Sequence, residues 1–313
     1  MSYEHKSNFY VVISDQEEIV GKKHMPILYH YCSNHAFHSI IGSRRIWLSS
    51  LSLSNDSMEG KLVAEIIGLI AKADGLDQTA IELLHKSVSG LEQFIDGLGF
   101  CLSEDGDLLS QWRGYAADAT GVSIGFSKDY LERFAEASRP GPDSKKPGFT
   151  LERVEYEPAV QEELIKPTYI EIKKLIDEGA FKFPTRRILD IRSDDEIERE
   201  IIKSKTAFAN LSMRVLFLFA KLFLLKTSAF REEREWRLIS YSLKSGKDIC
   251  SFRALNDRII PFREFELLES ESDSIVEVII GPKNITPNYV IDCLLKHRGF
   301  TNVKILRSKA TYR

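Results

Sequence analysis

The chain has 313 residues, 43% hydrophobic and 28% charged, the make-up of a soluble globular protein large enough to bury its own core. A net charge of −3 argues against binding nucleic acid through bulk phosphate attraction, which wants a basic excess, and leaves only a local basic groove open. The four cysteines, Cys32, Cys101, Cys250 and Cys293, form no CxxC pair, which argues against structural zinc and a disulfide framework and fits reduced thiols in a cytoplasmic protein.

The first six residues, Met1-Ser2-Tyr3-Glu4-His5-Lys6, lack the basic-then-apolar pattern of a signal peptide. Residues 9–14 read as a short strand within an N-terminal extension over 1–24, and 25–313 is expected to be a single α+β domain. Residues 27–32, rich in aromatic and β-prone side chains, predict a strand. Ser33 and Asn34 then cap a short helix reaching Ile41, Gly42-Ser43 closes it, and 44–50 returns as a second strand. This β-α-β opening places His30 and the Ser49-Ser50 pair on neighbouring elements. Asp56 and Glu59 have capping-box spacing ahead of a helix over about 57–73, and a second helix is expected over about 77–96. A strand follows over 99–103. Leu108, Trp112 and Tyr115 recur at i, i+4 and i+7 and give a short helix an aromatic face. Val122, Ile124 and Phe126 alternate with Ser123, Gly125 and Ser127 as a half-buried strand, a helix covers 128–137, and 139–148 is a Pro/Gly-rich loop.

A strand over 151–156 leads into a mainly helical insertion at about 158–227, broken near Pro167 and Pro184, with a capping box at Ser193 and Glu196. Within it, 207–225 is the most apolar segment of the chain. Arg214 and Lys221 interrupt it, whereas a membrane span needs roughly 20 apolar residues with few charges. Asn210, Arg214 and Lys221 fall on one side, so the segment reads as a core helix with a thin polar stripe facing a cleft. Strands over 250–254 and 259–267, joined at Asn256-Asp257, precede a strand over 275–280 that ends at Gly281-Pro282. Thr286 caps a last helix with Pro287 at its first position and Gly299 past its end, and a strand over 303–306 closes the chain. These elements describe an α+β protein with a mixed, twisted β-sheet core.

The densest chemistry lies at 230–240, where three acids and three bases surround Trp236. Along a strand, Glu233, Glu235 and Arg237 share one face and Arg234, Trp236 and Leu238 the other. The polar face is either a solvated edge of ion pairs, each worth about 0–1 kcal/mol, or a site wall in which the Glu235 carboxylate is aimed at developing positive charge. His30 is either a hydrogen-bonded core residue or a ligand. His35 and His38 have no acid beside them, so zinc is not expected. Asn55-Asp56-Ser57-Met58-Glu59 is helix capping, or a loop holding magnesium with Glu233 and Glu235 as further hard ligands, as in a metal-dependent nuclease. Trp112 and Tyr115 read first as core aromatics. No Walker loop, GxSxG or CxxC motif occurs.

Five pieces in order, LYHYCS (28–33), WLSSLSLSNDSME (47–59), CLSEDGDLLSQWRGYAADATGVSIGF (101–126), FREEREWRLIS (230–240) and VIIGP (278–282), together with the tail RSKATYR (307–313), carry a family resemblance. Over about residues 25–313 the chain resembles the bacterial and phage family called domain of unknown function two-nine-seven-one. The resemblance implies an α+β fold and importance for these pieces. A fainter one concerns Glu233-Arg234-Glu235 ahead of an apolar strand, which is similar to the Glu-x-Glu turn of ADP-ribosyltransferases. It implies an ADP-ribosyltransferase-like fold with NAD as cofactor-substrate. Glu235 would stabilise the oxocarbenium-like state, Glu233 would orient the acceptor and His30 would hold the dinucleotide. Tyr31 or Tyr115 would clamp the nicotinamide, with Ser49, Asn55, Trp112 and Arg237 as further contacts. The Ser-Thr-Ser strand of those enzymes has no clear counterpart, Ser49-Ser50 and Leu102-Ser103 being the nearest. The acceptor would be a protein or a nucleic acid, no membrane is involved, and the spread of the first family among bacteria and phages implies a toxin or anti-phage role. The competing expectations are the nuclease and a non-catalytic module that binds a nucleotide or peptide.

Overall fold

A computed structural model of the chain describes residues 26–54, 58, 60–140, 147–182, 184, 191–244, 250–255, 257–268 and 274–312. The opening forms as its capping residues dictate. Strand β1 (Ile27–Cys32) leads to helix α1 (Asn34–Ser43), where the Ser33 hydroxyl accepts from the Ala36 amide, and Arg44 at φ 54° turns the chain into β2 (Arg45–Ser50). Helices α2 (Leu62–Ala73), α3 (Gln78–Ser89) and the single turn α4 (Leu91–Phe94) feed β3 (Ile95–Ser103). Helix α5 (Leu109–Tyr115), β4 (Val122–Ser127), α6 (Lys128–Ala137) and β5 (Thr150–Arg153) follow. Two long helices, α7 (Pro158–Asp177) and α8 (Asp194–Leu216), precede two 3₁₀ turns at Phe217–Lys221 and Ser228–Glu233. The chain ends with β6 (Glu235–Leu243), β7 (Ser251–Ala254), β8 (Ile259–Glu266), β9 (Ile275–Ile280), α9 (Asn288–His297) and β10 (Lys304–Arg307).

The ten strands form one mixed sheet, antiparallel except where β10 runs parallel to β9 after the α9 crossover. Its organising strand is β3. One edge of β3 is paired along its whole length by β6, from Ile95↔Leu243 to Ser103↔Glu235, and β5 lies beyond β6. The other edge is shared. β1 touches it only at Tyr29↔Ser103 and leads outward to β4, β9 and β10, while β2 touches it at Ser49↔Gly99 and Ser50↔Leu98 and leads outward to β8 and β7. The sheet therefore forks beside Phe100 and Cys101.

Each face of the sheet carries its own core. Leu28, Leu48, Phe100, Ile124 and Leu238 pack on one face with residues of α1, α6 and α9, whereas Leu51, Phe223 and Ile239 pack on the other with α2, α3, α7 and α8. Two glycines of β3 let that second layer approach. A Cβ on Gly97 would stand 2.6 Å from the Phe223 ring, and one on Gly99 would stand 2.8 Å from Leu51.

Several expectations need correction. β3 begins at Ile95, inside the stretch expected to be helical, because 95–100 is buried on both faces and so lacks the alternation that marks a half-buried strand. Pro167 lies within α7 without ending it, although a proline leaves the carbonyl four residues back without an amide partner. Segment 207–225 is not one core helix. α8 buries only a stripe that includes Ala207, Leu211 and Val215, and the fully buried run is 222–225, beyond the first 3₁₀ turn. Asn210 and Arg214 are exposed, and Arg214 pairs with Glu171 on α7, so the polar stripe faces outward rather than into a cleft. Pro287, not Thr286, is the N-cap of α9. The strand at 9–14, the Asp56/Glu59 capping pair and Asn256 lie outside the described residues. Among the described residues no helix is long and apolar enough to cross a membrane.

Candidate functional site

The fork leaves a backbone carbonyl without a strand to pair it. β2 pairing on β3 stops at Ser49↔Gly99, and β1 pairing starts only at Ser103. The Cys101 carbonyl, between them, accepts instead from His30 Nδ1 at 2.8 Å, and the imidazole stacks on Phe100 with ring centroids 3.9 Å apart. Strand alternation alone would send His30 with Leu28 and Cys32 into the main core. The stack on Phe100 keeps it at the margin of that core, and the gap in the sheet opens its ring to the Cys101 carbonyl and the pocket. Because a carbonyl can only accept, the neutral ring carries its proton on Nδ1 and has a bare Nε2. Burial, reinforced by the Arg253 charge, lowers the His30 pKa to about 4, against the upward pull of its backbone hydrogen bond, so the ring is neutral at physiological pH.

Beside His30 lies a pocket lined by Tyr31, Leu51, Ser54, Cys101, Gln111 and Tyr115 together with the charged groups Lys226, Glu233, Glu235 and Arg237. The acidic wall depends on a backbone turn. Glu233 ends the second 3₁₀ turn, Arg234 adopts the left-handed conformation at φ 42°, and Glu235 begins β6. A left-handed residue other than glycine costs about 1–2 kcal/mol. Here it turns both glutamates inward, at 7% and 5% exposure, while Arg234 points out. Tyr156 Oη accepts from the Glu235 amide at 3.1 Å, and Ser103 Oγ donates to the Glu233 carbonyl at 2.7 Å, pinning the turn on both sides.

Four charges then compensate one another inside. Arg237 grips Glu235 in bidentate fashion, Nε to Oε1 at 2.7 Å and Nη2 to Oε2 at 3.0 Å, and its Nη1 donates to the Phe223 carbonyl at 2.6 Å. Lys226 Nζ bridges the two glutamates, 2.9 Å from Glu233 Oε2 and 2.8 Å from Glu235 Oε2. Lys226 is itself held by its backbone, its amide donating to Glu155 and its carbonyl accepting from Gln161 Nε2. Burial opposes the charge on Glu235, but Arg237 and Lys226 outweigh it and bring the carboxyl down to about 2. Burial also works against the charge on Lys226, and the Glu235 and Glu233 carboxylates overcome it, holding the ammonium above its ordinary range.

Other polar groups in the pocket are uncommitted. Among the described residues, His30 Nε2, the Gln111 side-chain amide, the Tyr115 hydroxyl and Glu233 Oε1 have no hydrogen-bond partner. Burial, then the Glu233 charge, pushes the Tyr115 hydroxyl up, so it stays a donor. Tyr31 is fixed, its hydroxyl donating to the Asp105 carbonyl and accepting from the Leu108 amide, both at 2.8 Å.

His30, Tyr31, Tyr115, Glu233, Glu235 and Arg237, singled out from sequence, thus line one pocket. Two others do not. Ser49 shares the sheet face of Gly99 and Cys101 but pairs with Gly99 and Phe262 mid-sheet, away from the lining, and it is Leu51 and Ser54 just beyond β2 that reach the pocket. Trp112 is fully buried behind the site, its indole donating to Asp107 at 2.8 Å and its ring set edge-on to Tyr31 at 4.9 Å, so it supports Tyr31 rather than meeting a ligand. Asn55 lies outside the described residues. Tyr115, read first as a core aromatic, is 45% exposed and lines the pocket. Sequence reasoning missed Lys226, Gln111, Cys101 and Ser54. A lone lysine closing the apolar run 222–225 was the one available signal, since a buried cation demands buried anions.

Residues 111–238 match the family described as "Protein of unknown function (DUF2971)". The DUF2971 match takes in Gln111, Tyr115, Lys226, Glu233, Glu235 and Arg237, the whole charged wall of the pocket, and leaves His30, Tyr31, Leu51, Ser54 and Cys101 outside it. No curated protein and no solved structure matches the chain.

Proposed function

We propose that this pocket binds the nicotinamide-ribose end of NAD and that the chain is an ADP-ribosyltransferase-like enzyme, with Glu235 as its electrostatic centre. The observation that carries the reading is a permanently ionised carboxylate, locked by Arg237 and Lys226, surrounded by uncommitted donors and acceptors from separate elements. Buried ion pairs rarely stabilise a fold relative to apolar packing, so four buried charges call for a reason beyond stability. Rigid anions facing a small cavity are what a reaction developing positive charge on a sugar requires.

The residues present fit such a ligand. Tyr31 and Tyr115 supply aromatic faces, Glu233 Oε1 accepts from sugar hydroxyls, and the Gln111 amide offers both a donor and an acceptor. His30, fixed in its Nδ1-protonated form, presents Nε2 as an acceptor for a hydroxyl or for the proton of an incoming nucleophile. When bound, NAD supplies a glycosidic bond whose electron pair departs on the pyridine nitrogen while the acceptor takes the anomeric carbon. Glu235 holds its negative charge at every physiological pH and does not reorganise, because Arg237 and Lys226 fix both of its oxygens. In keeping with the resemblance that first singled out these residues, the role falls to Glu235 and acceptor orientation to Glu233.

A metal-dependent nuclease fits less well. The place between the two carboxylates where a divalent ion would sit is taken by Lys226 Nζ. The test is incubation of the purified protein with labelled NAD and cell extract, with and without a chelator. Chelator-insensitive transfer of label by wild type, lost in Glu235→Gln, supports the reading. NAD binding without transfer or nicotinamide release leaves a binding module, and metal-dependent cleavage of nucleic acid restores the nuclease.

A further inference from the structure

The cations of the pocket, Lys226 and Arg237, are both committed to glutamates, yet a nucleotide brings phosphate. One arginine near the fork is uncommitted. Arg253 of β7 has no hydrogen-bond or ion-pair partner among the described residues, and its Nε is buried without one. An orphaned buried guanidinium nitrogen is costly and uncommon in a native fold.

The register places it. Ser251 faces Phe262, Phe262 faces Ser49 and Ser49 faces Gly99, so these residues, together with Arg253 two positions along β7 and Cys101 two along β3, lie on one face of the sheet. Continuing the β2–β3 ladder would set Trp47 opposite Cys101, at the fork, and there the strands have already parted. The Arg253 guanidinium carbon reaches over that Trp47 ring, 5.8 Å from its centroid, while the ring packs on Phe262 at 4.4 Å. Its charge is felt by His30, whose protonation it disfavours. An aromatic shelf thus holds a cation that has no hydrogen-bond or ion-pair partner among the described residues, on the sheet face of Cys101 and close enough to His30 for its charge to act there.

We infer that Arg253 is a phosphate-binding residue, which holds the diphosphate of a nucleotide whose glycosyl end enters the pocket beside His30. The inference deepens the reading of the pocket as a nucleotide site and rests on it for the identity of the nucleotide, not for the phosphate contact. A planar guanidinium with its donors uncommitted suits a phosphate, with bidentate contacts that a lysine cannot reproduce.

The test is calorimetric titration of inorganic pyrophosphate, ADP-ribose and nicotinamide riboside into wild type, Arg253→Gln and Arg253→Lys, with thermal unfolding of each. Pyrophosphate and ADP-ribose are expected to bind wild type, to weaken about tenfold or more in Arg253→Gln and to recover in part in Arg253→Lys, as for loss of a charge-assisted contact. Nicotinamide riboside should bind all three alike. The melting temperature of Arg253→Gln should fall only slightly, since among the described residues the side chain loses the Trp47 contact and no hydrogen bond or ion pair, whereas an arginine held by structural ion pairs would lower it by more. Equal ADP-ribose binding by wild type and Arg253→Gln overturns the inference, and so does a wild type that binds neither phosphate compound. Displacement of pyrophosphate by a short oligonucleotide but not by ADP-ribose also overturns it, by giving the phosphate to a nucleic acid. Arg253-dependent binding without nicotinamide release from NAD would uphold the phosphate site and defeat the transferase reading, and NAD turnover unchanged in Arg253→Gln would do the reverse.

Discussion

Lys226→Met probes the site at its keystone. The lysine is 5% exposed and its ammonium lies within 2.9 Å of both glutamates, so its removal leaves two carboxylates and Arg237 as a buried group of net charge −1. Methionine keeps the length of the apolar stem, and the backbone bonds of residue 226 to Glu155 and Gln161 survive. Breaking a buried pair by removing one partner costs about 3–5 kcal/mol, against about 0–1 kcal/mol for an exposed pair. Urea denaturation near neutral pH should therefore show the larger loss. Adding Glu233→Gln to Lys226→Met restores neutrality and should return part of it, with a coupling of about 0.5–3 kcal/mol. The deficit should also shrink as pH falls through the carboxylate range, because one glutamate of the mutant then takes up a proton and relieves the repulsion. A loss below about 1 kcal/mol, the value for solvated pairs, independent of pH, would refute the claim that these charges form a buried, preorganised unit.

Acid should weaken the fold in two windows. His30 has its pKa lowered from 6.5 to about 4, so the unfolded chain takes up that proton first and stability falls as pH drops from 6.5 to 4; His30→Asn, which keeps a donor for the Cys101 carbonyl, should flatten that window in denaturation curves collected across pH. Glu235, lowered from 4.5 to about 2, contributes stability present above 4.5 and lost as pH falls towards 2, and Glu235→Gln should abolish that second window. Gly97→Ala forces a methyl against Phe223, whose carbonyl holds Arg237, and overpacking of this kind costs about 1–3 kcal/mol, to be read from thermal unfolding. Tyr115→Phe removes a hydroxyl that has no partner among the described residues, so stability should hold while nicotinamide riboside affinity falls roughly 2- to 12-fold, the worth of one hydrogen bond.

Helices with a side-chain cap, such as α1 and α8, were readable because the signal is local, and β4 was located by its alternation although it is buried on both faces, not half-buried as expected, its second face being the small residues Ser123, Gly125 and Ser127. β3, the axis of the sheet, was half hidden because burial on both faces erases alternation. The site was legible in its acids and aromatics but not in its logic. Placing Glu233 and Glu235 on one face was right for a reason strand periodicity does not contain, since Glu233 lies outside the strand and the left-handed turn at Arg234 brings it round. Lys226 and Arg253 become informative only once the fold shows which cation is held by carboxylates and which, among the described residues, is not. The fork that positions His30 is a long-range pairing defect, invisible to any window along the chain.

The most direct measurement is nicotinamide release from NAD by the purified protein, wild type against a Glu235→Gln variant shown to be folded. The account predicts release by wild type and a rate lower by about 10²–10³-fold in the variant, the cost of losing one preorganised electrostatic stabiliser. Equal rates in the two proteins, or no release by wild type with its own acceptor present, would contradict it.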